Sequence, residues 1–210
     1  RLHYLYPDEI TEELIDTIAG QPKILPYLDI PIQHCSDGIL KAMNRRDTKE
    51  SIRRLFQTLR RRIPGLVLRT SLIAGLPGEG EAEFEELCEF LREQKIERAG
   101  VFPFSPEDGT RAAQMDHVDA EEAARRAEVA VDVQSDIIDE YNESVLGTER
   151  EVLCEGFDGQ AQMFFGRSYA ESPEIDGRIY FTAAEEPEPG DFVTVRLTGV
   201  MDGELTGERV

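Results

Sequence analysis

Two apolar segments of this chain each end abruptly in residues that could bind a ligand. Residues 28–32 lead into Gln33-His34-Cys35-Ser36, and residues 66–74 lead into a glycine-rich turn that contains Glu79. A helix-patterned segment follows each of them. In folds of alternating strands and helices, ligands bind at the carboxyl ends of the strands, on the loops that enter the helices. The two segments therefore predict one site that several strands build together.

The turn from Gly75 to Gly80 does not have the residues of a phosphate loop. It has neither Walker spacing nor the GxGxxG pattern, and no lysine follows it. The start of the next helix instead carries five carboxylates, which would repel an anion: Glu79, Glu81, Glu83, Glu85 and Glu86. A ligand here should be neutral or cationic, such as an adenosyl group with a sulfonium centre. A tight strand-to-helix turn with no ligand role is the alternative interpretation.

Two polar groups near these strand ends allow two interpretations each. A histidine in the position of His34 is either a hydrogen-bonded structural group or part of the site. Arg69 and Ser71 share one face of an alternating strand. A buried arginine needs a carboxylate partner, which either a ligand or the protein itself could supply.

Composition limits the function classes. The 210 residues carry a formal net charge of −20, and such a surface argues against a broad nucleic-acid footprint. The scarcity of lysine suits either a high-salt cytoplasm or an ordinary acidic protein. Cys35, Cys88 and Cys154 form neither a disulfide framework nor a CxxC pair, which indicates a reducing cytosol. We find no membrane-spanning run and no signal peptide.

Hydrophobic periodicity predicts an α/β segment with a mainly parallel sheet. Its four predicted strands cover residues 2–6, 27–33, 66–73 and 101–104, with helices between them and Asp37 as one helix cap. A long helix is predicted over residues 120–145 and ends at Gly147. Four strands fall short of a closed barrel, so we expect further elements to precede Arg1.

The pattern changes class after this helix. Short strands at residues 151–154, 163–165, 177–181 and 191–197 alternate with Asp-Gly and Pro-Gly turns, which predicts a small antiparallel β-barrel of OB-like size. We therefore expect two domains, covering residues 1–145 and 146–210.

Three motifs carry a resemblance to a known family. IPIQHCSDGILKAMNRR (residues 30–46), RTSLIAGLPGE (69–79) and VFPFSPEDGT (101–110) resemble the C-terminal half of a radical S-adenosylmethionine methylthiotransferase. The barrel is similar to a TRAM domain. Gln33-His34 and GRSYAESPEIDG (166–177) are closer to the members that modify an aspartate of ribosomal protein S-twelve than to the tRNA-modifying members.

The resemblance implies a fold, a reaction and a set of site residues. The fold would be the C-terminal part of an open, TIM-like (β/α) radical SAM barrel followed by a TRAM barrel. The cofactors would be S-adenosylmethionine and two 4Fe-4S clusters, and the reaction would place a methylthio group on the β-carbon of the aspartate through a 5′-deoxyadenosyl radical. The implied cofactor-binding residues are Gln33, Ser36, Arg69, Ser71, Ile73, Val101 and Phe102, and the implied substrate-docking residues are His34, Arg167 and Tyr169.

The chain departs from the family in one respect. It has no CxxxCxxC motif, so we expect no metal ligands and no activity from these residues alone. The implied partner is the basic ribosomal protein rather than nucleic acid or a membrane, and we expect a cytoplasmic monomer. Two alternatives stay open. One is a methylthiotransferase acting on isopentenyladenosine in tRNA, and the other is a non-catalytic binding module.

Overall fold

The computed structural model describes all residues from Arg1 to Val210, in two compact units, Arg1–Ile137 and Ile138–Val210. The helices are α1 (Glu12–Gly20), α2 (Asp37–Ala42), α3 (Lys49–Arg62), α4 (Glu81–Gln94) and α5 (Ala120–Val145). The strands are β1 (Tyr27–Asp29), β2 (Val67–Ala74), β3 (Arg98–Pro103), β4 (Glu149–Asp158), β5 (Met163–Arg167), β6 (Ile179–Thr182), β7 (Phe192–Met201) and β8 (Glu204–Arg209). No helix is both long enough and apolar enough to span a membrane.

The first unit has the predicted α/β architecture. Its three strands pair in parallel in the order β1-β2-β3, so that β2 lies in the centre. Along β2 the side chains alternate: Thr70 and Leu72 are buried, whereas Arg69, Ser71 and Ile73 on the other face are partly exposed. This alternation gives the sheet one face for the core and one face that a ligand can reach.

Local backbone chemistry corrects two of the sequence predictions. The strand predicted at residues 2–6 is wrong, because only Leu2 bridges Leu28 and Tyr4 adopts a left-handed conformation at φ 61°. Pro7 then starts a 3-10 turn. The predicted cap of α2 is also corrected: Ser36 is the N-cap residue, and Asp37 Oδ1 accepts a hydrogen bond from the Lys49 N–H at 2.7 Å.

The second unit contains a closed barrel with the strand order β4-β5-β6-β8-β7. The predicted barrel is confirmed, but strand β8 was missed and the barrel is not wholly antiparallel. A tight hairpin at Asp202-Gly203 returns the chain from β7, and β8 then pairs in parallel with β6 to close the barrel. Its core consists of Val152, Cys154, Ile179, Phe181, Val193, Val195, Leu197 and Leu205, together with Val145 from the end of α5.

A buried carboxylate joins the end of β2 to α5. Glu79 Oε1 accepts hydrogen bonds from the Gly75 N–H and from Arg126 Nη1, both at 2.9 Å, and Glu79 Oε2 lies 3.3 Å from His34 Nε2. Burial favours the neutral form of Glu79, but the contacts with His34, Arg126 and Gly75 outweigh it and lower the pKa of this carboxyl. Gly75 itself has φ +84°, and a Cβ there would lie 2.6 Å from the Cβ of Ala123.

We expect Glu79→Gln to destabilise the chain by about 2 kcal/mol at pH 7, because it removes the buried charge-assisted hydrogen bond to Arg126, whose guanidinium then keeps only its pairing with the more exposed Glu122 and Glu81. Urea unfolding measures this loss. The matched control Glu121→Gln, on the exposed side of α5, should stay within about 0.5 kcal/mol of the unchanged chain.

The same substitution should change the acid limb of the stability curve. Because the folded-state pKa of Glu79 is lowered, its stabilisation is complete above the unfolded-state pKa of about 4.3 and is lost as pH falls through the folded-state pKa. Glu79→Gln should remove that part of the slope. A loss at pH 7 no larger than that of the control would contradict the role assigned to Glu79.

Candidate functional site

The carboxyl ends of the three parallel strands open onto a cavity of about 680 Å³. Its walls come from the segment after β1, the end of α2, strand β2 and its exit turn, and the loop after β3. The lining residues are Gln33, Ala42, Met43, Asn44, Ser71, Ile73, Leu76, Pro77, Phe102, Pro103, Phe104, Ser105, Arg111, Ala112 and Met115. Most of these side chains are apolar and a few polar groups converge among them, which is the usual chemistry of a small-molecule site.

Gln33 reaches the cavity from a strained backbone position. Its φ is 68°, which is uncommon for a residue with a side chain. Two hydrogen bonds to β2 hold it there: the Gln33 N–H donates to the Ser71 carbonyl at 2.9 Å, and the Ile73 N–H donates to the Gln33 carbonyl at 2.8 Å. The surrounding sheet thus enforces a conformation that orients one polar side chain at the site.

The structure brings together four of the seven residues implied to bind the cofactor. Gln33, Ser71, Ile73 and Phe102 all line the cavity, and Phe102 is 54% exposed. Ser36, Arg69 and Val101 do not line it. Ser36 is buried at the start of α2, and Val101 packs against the hydrophobic core.

Arg69 has a protein partner on the neighbouring strand. Its Nη1 lies 3.1 Å from Asp29 Oδ1, and the Asp29 carboxylate is almost completely buried. Of the two interpretations left open by the sequence, the structure therefore shows the internal ion pair. A different arginine, Arg111, lines the cavity and is the one ionisable side chain that does so.

The sequence did not indicate the residues that loops contribute to the cavity. Met43 and Asn44 follow α2, and Arg111 and Met115 flank a 3-10 turn after β3. Asn44 has φ 60°, a left-handed value that asparagine adopts more readily than most residues. In the sequence, the feature that could have indicated this turn is an asparagine, Asn44, close after a short helix.

The acidic start of α4 lies outside the cavity. None of the five glutamates that were expected to repel an anion lines it. Glu79 is buried against Arg126, and Glu83 caps its own helix by accepting a hydrogen bond from the Gly80 N–H at 3.0 Å. The charge preference inferred from these residues is therefore not a property of the cavity itself.

The three implied docking residues each contact another residue of the chain. His34 is fully buried beside Glu79, so direct contact with a macromolecule would require this side chain to become exposed. In the barrel, Arg167 Nε donates to Glu155 Oε1 at 2.8 Å, and the Arg150 guanidinium lies 4.9 Å from the centroid of the Tyr169 ring.

The residues present do not fit an iron–sulfur cluster. Cys35, Cys88 and Cys154 are all buried, and burial raises the pKa of each thiol, that of Cys35 to about 12. A cluster needs converging thiolates, and no three of the cysteine, histidine and carboxylate side chains lie close enough to hold a metal ion.

We therefore expect this chain, supplied anaerobically with iron and sulfide, to form no stable 4Fe-4S cluster. Visible absorption and iron analysis after desalting measure the outcome, with Cys35→Ala as the matched variant. A stoichiometric cluster that disappears in Cys35→Ala would contradict this expectation.

Two family models match the chain. The radical SAM superfamily model matches residues 1–91, and the TRAM domain model matches residues 146–210. Among solved structures, coproporphyrinogen III oxidase (HemN) from Escherichia coli aligns with 65% of this chain and 32% of its own, at a TM-score of 0.55 and 18% identity. The archaeal Elp3 from Methanocaldococcus infernus aligns with 64% and 32%, at a TM-score of 0.51 and 18% identity. These two likenesses concern the fold alone.

Curated relatives match nearly the whole chain. A protein of Symbiobacterium thermophilum is 46% identical over 99% of this chain and 44% of its own length. One of Caldanaerobacter subterraneus is 44% identical over 99% of this chain and 47% of its own length. Both are named ribosomal protein uS12 methylthiotransferase RimO, and the chain spans about half the length of these relatives.

The resemblance inferred from the motifs is confirmed: residues 1–91 match the radical SAM superfamily, residues 146–210 match the TRAM domain, and nearly the whole chain is similar to part of proteins named RimO.

Proposed function

We propose that this chain is the C-terminal half of a radical SAM enzyme that methylthiolates an aspartate of ribosomal protein uS12. The single observation that carries the proposal is the cavity at the strand ends, which four of the residues implied to bind the cofactor line together. The names and identities of the curated relatives support the choice of reaction. The domain division between residues 145 and 146 belongs to the same proposal and agrees with the extent of the TRAM match.

S-adenosylmethionine fits the cavity by size and by chemistry. Ile73 and Phe102 offer apolar surface to an adenine ring, while Gln33 and Ser71 offer hydrogen-bonding groups to a ribose or an amino-acid moiety. An anionic group bound in the cavity would find Arg111 as its cationic partner. The bound cofactor would supply the radical chemistry, and these residues would bind and orient it.

The barrel is better suited to a basic protein than to RNA. Residues 147–210 contain 14 acidic and five basic residues, a net charge of −9. All five arginines are already engaged within the barrel: Arg150 with Tyr169, Arg167 with Glu155, Arg178 with Phe165, Arg196 with Glu149 and Arg209 with the Glu185 carbonyl. A barrel of this kind repels phosphates and attracts a basic ribosomal protein. We also propose that the protein works in the cytoplasm, which agrees with its three unpaired cysteines, and that it works as a monomer.

The enzymatic proposal can be tested in a chimera. This chain would be joined to the N-terminal part of the Symbiobacterium thermophilum relative, and methylthiolated uS12 would be measured by mass spectrometry. We expect the chimera to be active. Ser71→Phe, which places an aromatic ring in the cavity, should reduce activity by on the order of tenfold or more, because the ring occupies space that the cofactor needs; tenfold corresponds to about 1.4 kcal/mol of binding free energy.

Glu128→Gln, on the exposed surface of α5, is the matched control and should leave activity unchanged. An active chimera that tolerates Ser71→Phe would show that this cavity does not hold the cofactor. An inactive chimera with intact clusters would count against the methylthiotransferase assignment.

The choice of partner can be tested with the 210-residue chain. We expect it to bind purified uS12 more tightly than bulk tRNA, with an affinity for uS12 that falls as salt rises, because the attraction is between exposed charges. Titrations at low and moderate salt measure both affinities. Tighter binding to tRNA would favour the tRNA-modifying assignment instead.

A further inference from the structure

A second, polar cavity adjoins the cofactor cavity. It has a volume of about 230 Å³ and is lined by Tyr6, Asp8, Glu9, Asn44, Arg45, Arg46 and Asp47. Asn44 lines both cavities, so the two cavities adjoin at this residue. The turn that holds Asn44 is fixed by a hydrogen bond from its N–H to the Lys41 carbonyl at 3.0 Å. A molecule in one cavity therefore lies next to a molecule in the other.

Asp47 is a largely buried carboxylate whose hydrogen-bond donor within the chain is its own backbone N–H. It is 8% exposed, and no other residue donates a hydrogen bond to it or forms an ion pair with it. Burial, and next the neighbouring Asp8, raise the pKa of this carboxyl. The carboxylate lines an open cavity, and a ligand there could supply the further donors that the chain does not.

The charges around Asp47 select a cation for that role. Asp8 and Glu9 lie in the 3-10 turn on the same cavity wall, and they bring the number of carboxylates to three. Of the two arginines, Arg45 donates to the Pro31 carbonyl at 2.5 Å and lies 5.4 Å from the centroid of the Tyr6 ring. Arg46 is 86% exposed at its side chain and lies 3.8 Å from Asp8. Neither arginine makes an ion pair with Asp47.

We propose that this polar cavity binds the ammonium or guanidinium group of a basic residue of the protein substrate, with Asp47 as its main acceptor. The inference rests on the proposed function, because it is the substrate segment in the neighbouring cavity that would bring the basic residue here. Successive residues of an extended chain are about 3.3–3.6 Å apart, so the basic residue lies within a few positions of the modified one. The site thus recognises a basic side chain of the substrate close to the target residue. This recognition adds to the general attraction between the barrel and a basic protein.

The experiment uses the 210-residue chain labelled with nitrogen-15 and three small probes. Two are cationic, Nα-acetyl-lysine amide and Nα-acetyl-arginine amide, and the third is the neutral Nα-acetyl-norleucine amide. Amide shifts are followed by NMR at pH 7. We expect saturable shifts at Asp8, Glu9, Asn44 and Asp47 with the two cationic probes and none with norleucine. Asp47→Asn should weaken binding of the cationic probes on the order of tenfold, about 1.4 kcal/mol, because it removes the negative charge of the main acceptor.

Two further variants keep the test decisive if Asp47→Asn disturbs folding. Asp8→Asn and Glu9→Gln lie in an exposed turn, and each should weaken the cationic probes measurably, whereas the control Glu121→Gln on α5 should not. Equal shifts with norleucine, or no saturable shifts at these four residues, would overturn the site.

The outcome is separable from that of the chimera. Cationic probes that bind while the chimera is inactive would support the site and count against the proposed function. An active chimera, together with no binding of the cationic probes to the 210-residue chain, would support the proposed function and contradict this site.

Discussion

The geometry at the strand ends depends on one buried carboxylate. Glu79 closes the turn after β2 by accepting the Gly75 N–H, and the same oxygen accepts Arg126 Nη1 from α5, so that turn and helix are fixed by a single group. Its other oxygen lies against His34, which follows β1. A charge this deeply buried is tolerated only with partners of this kind, so the turn, α5 and the exit of β1 are positioned together. Leu76 and Pro77, which lie within that turn, then line the cavity.

The turn after β2 has a structural side, where Glu79 binds the Gly75 N–H, and a side that faces the cavity. Glycine-rich turns before helices commonly present their N–H groups to an anionic ligand. Here the Gly75 N–H is occupied by the chain's own carboxylate, so the ligand cavity forms on the other side, from Ser71, Ile73 and the loops after α2 and β3. The outcome is a cavity lined by many apolar groups and one cation, Arg111, rather than a phosphate-binding loop.

Local pattern was sufficient to predict α5 and the alternation of β2, whereas the cavity residues Gln33, Ile73 and Phe102 were implied by the family resemblance. Periodicity could not identify Asp29 as the partner of Arg69 or Arg126 as the partner of Glu79, because each pair joins residues 40 or more positions apart. It also could not place Asn44, since a left-handed residue at the end of a short helix leaves no periodic trace. Strand β8 was missed for a related reason: only its pairing with β6 and β7 distinguishes it from a polar tail.

The charge of the barrel and the geometry near the cofactor cavity act over different ranges. An excess of carboxylates attracts every basic surface alike, and salt screens that attraction beyond about 8–10 Å. It therefore accelerates encounter but cannot select one residue among many on a basic partner. Selection requires contacts that form only when a particular segment enters the cavity. Asp47 is 8% exposed and receives no hydrogen bond from another residue, so in the proposed site it would discriminate at hydrogen-bond distance between a charged side chain and a neutral one of similar size.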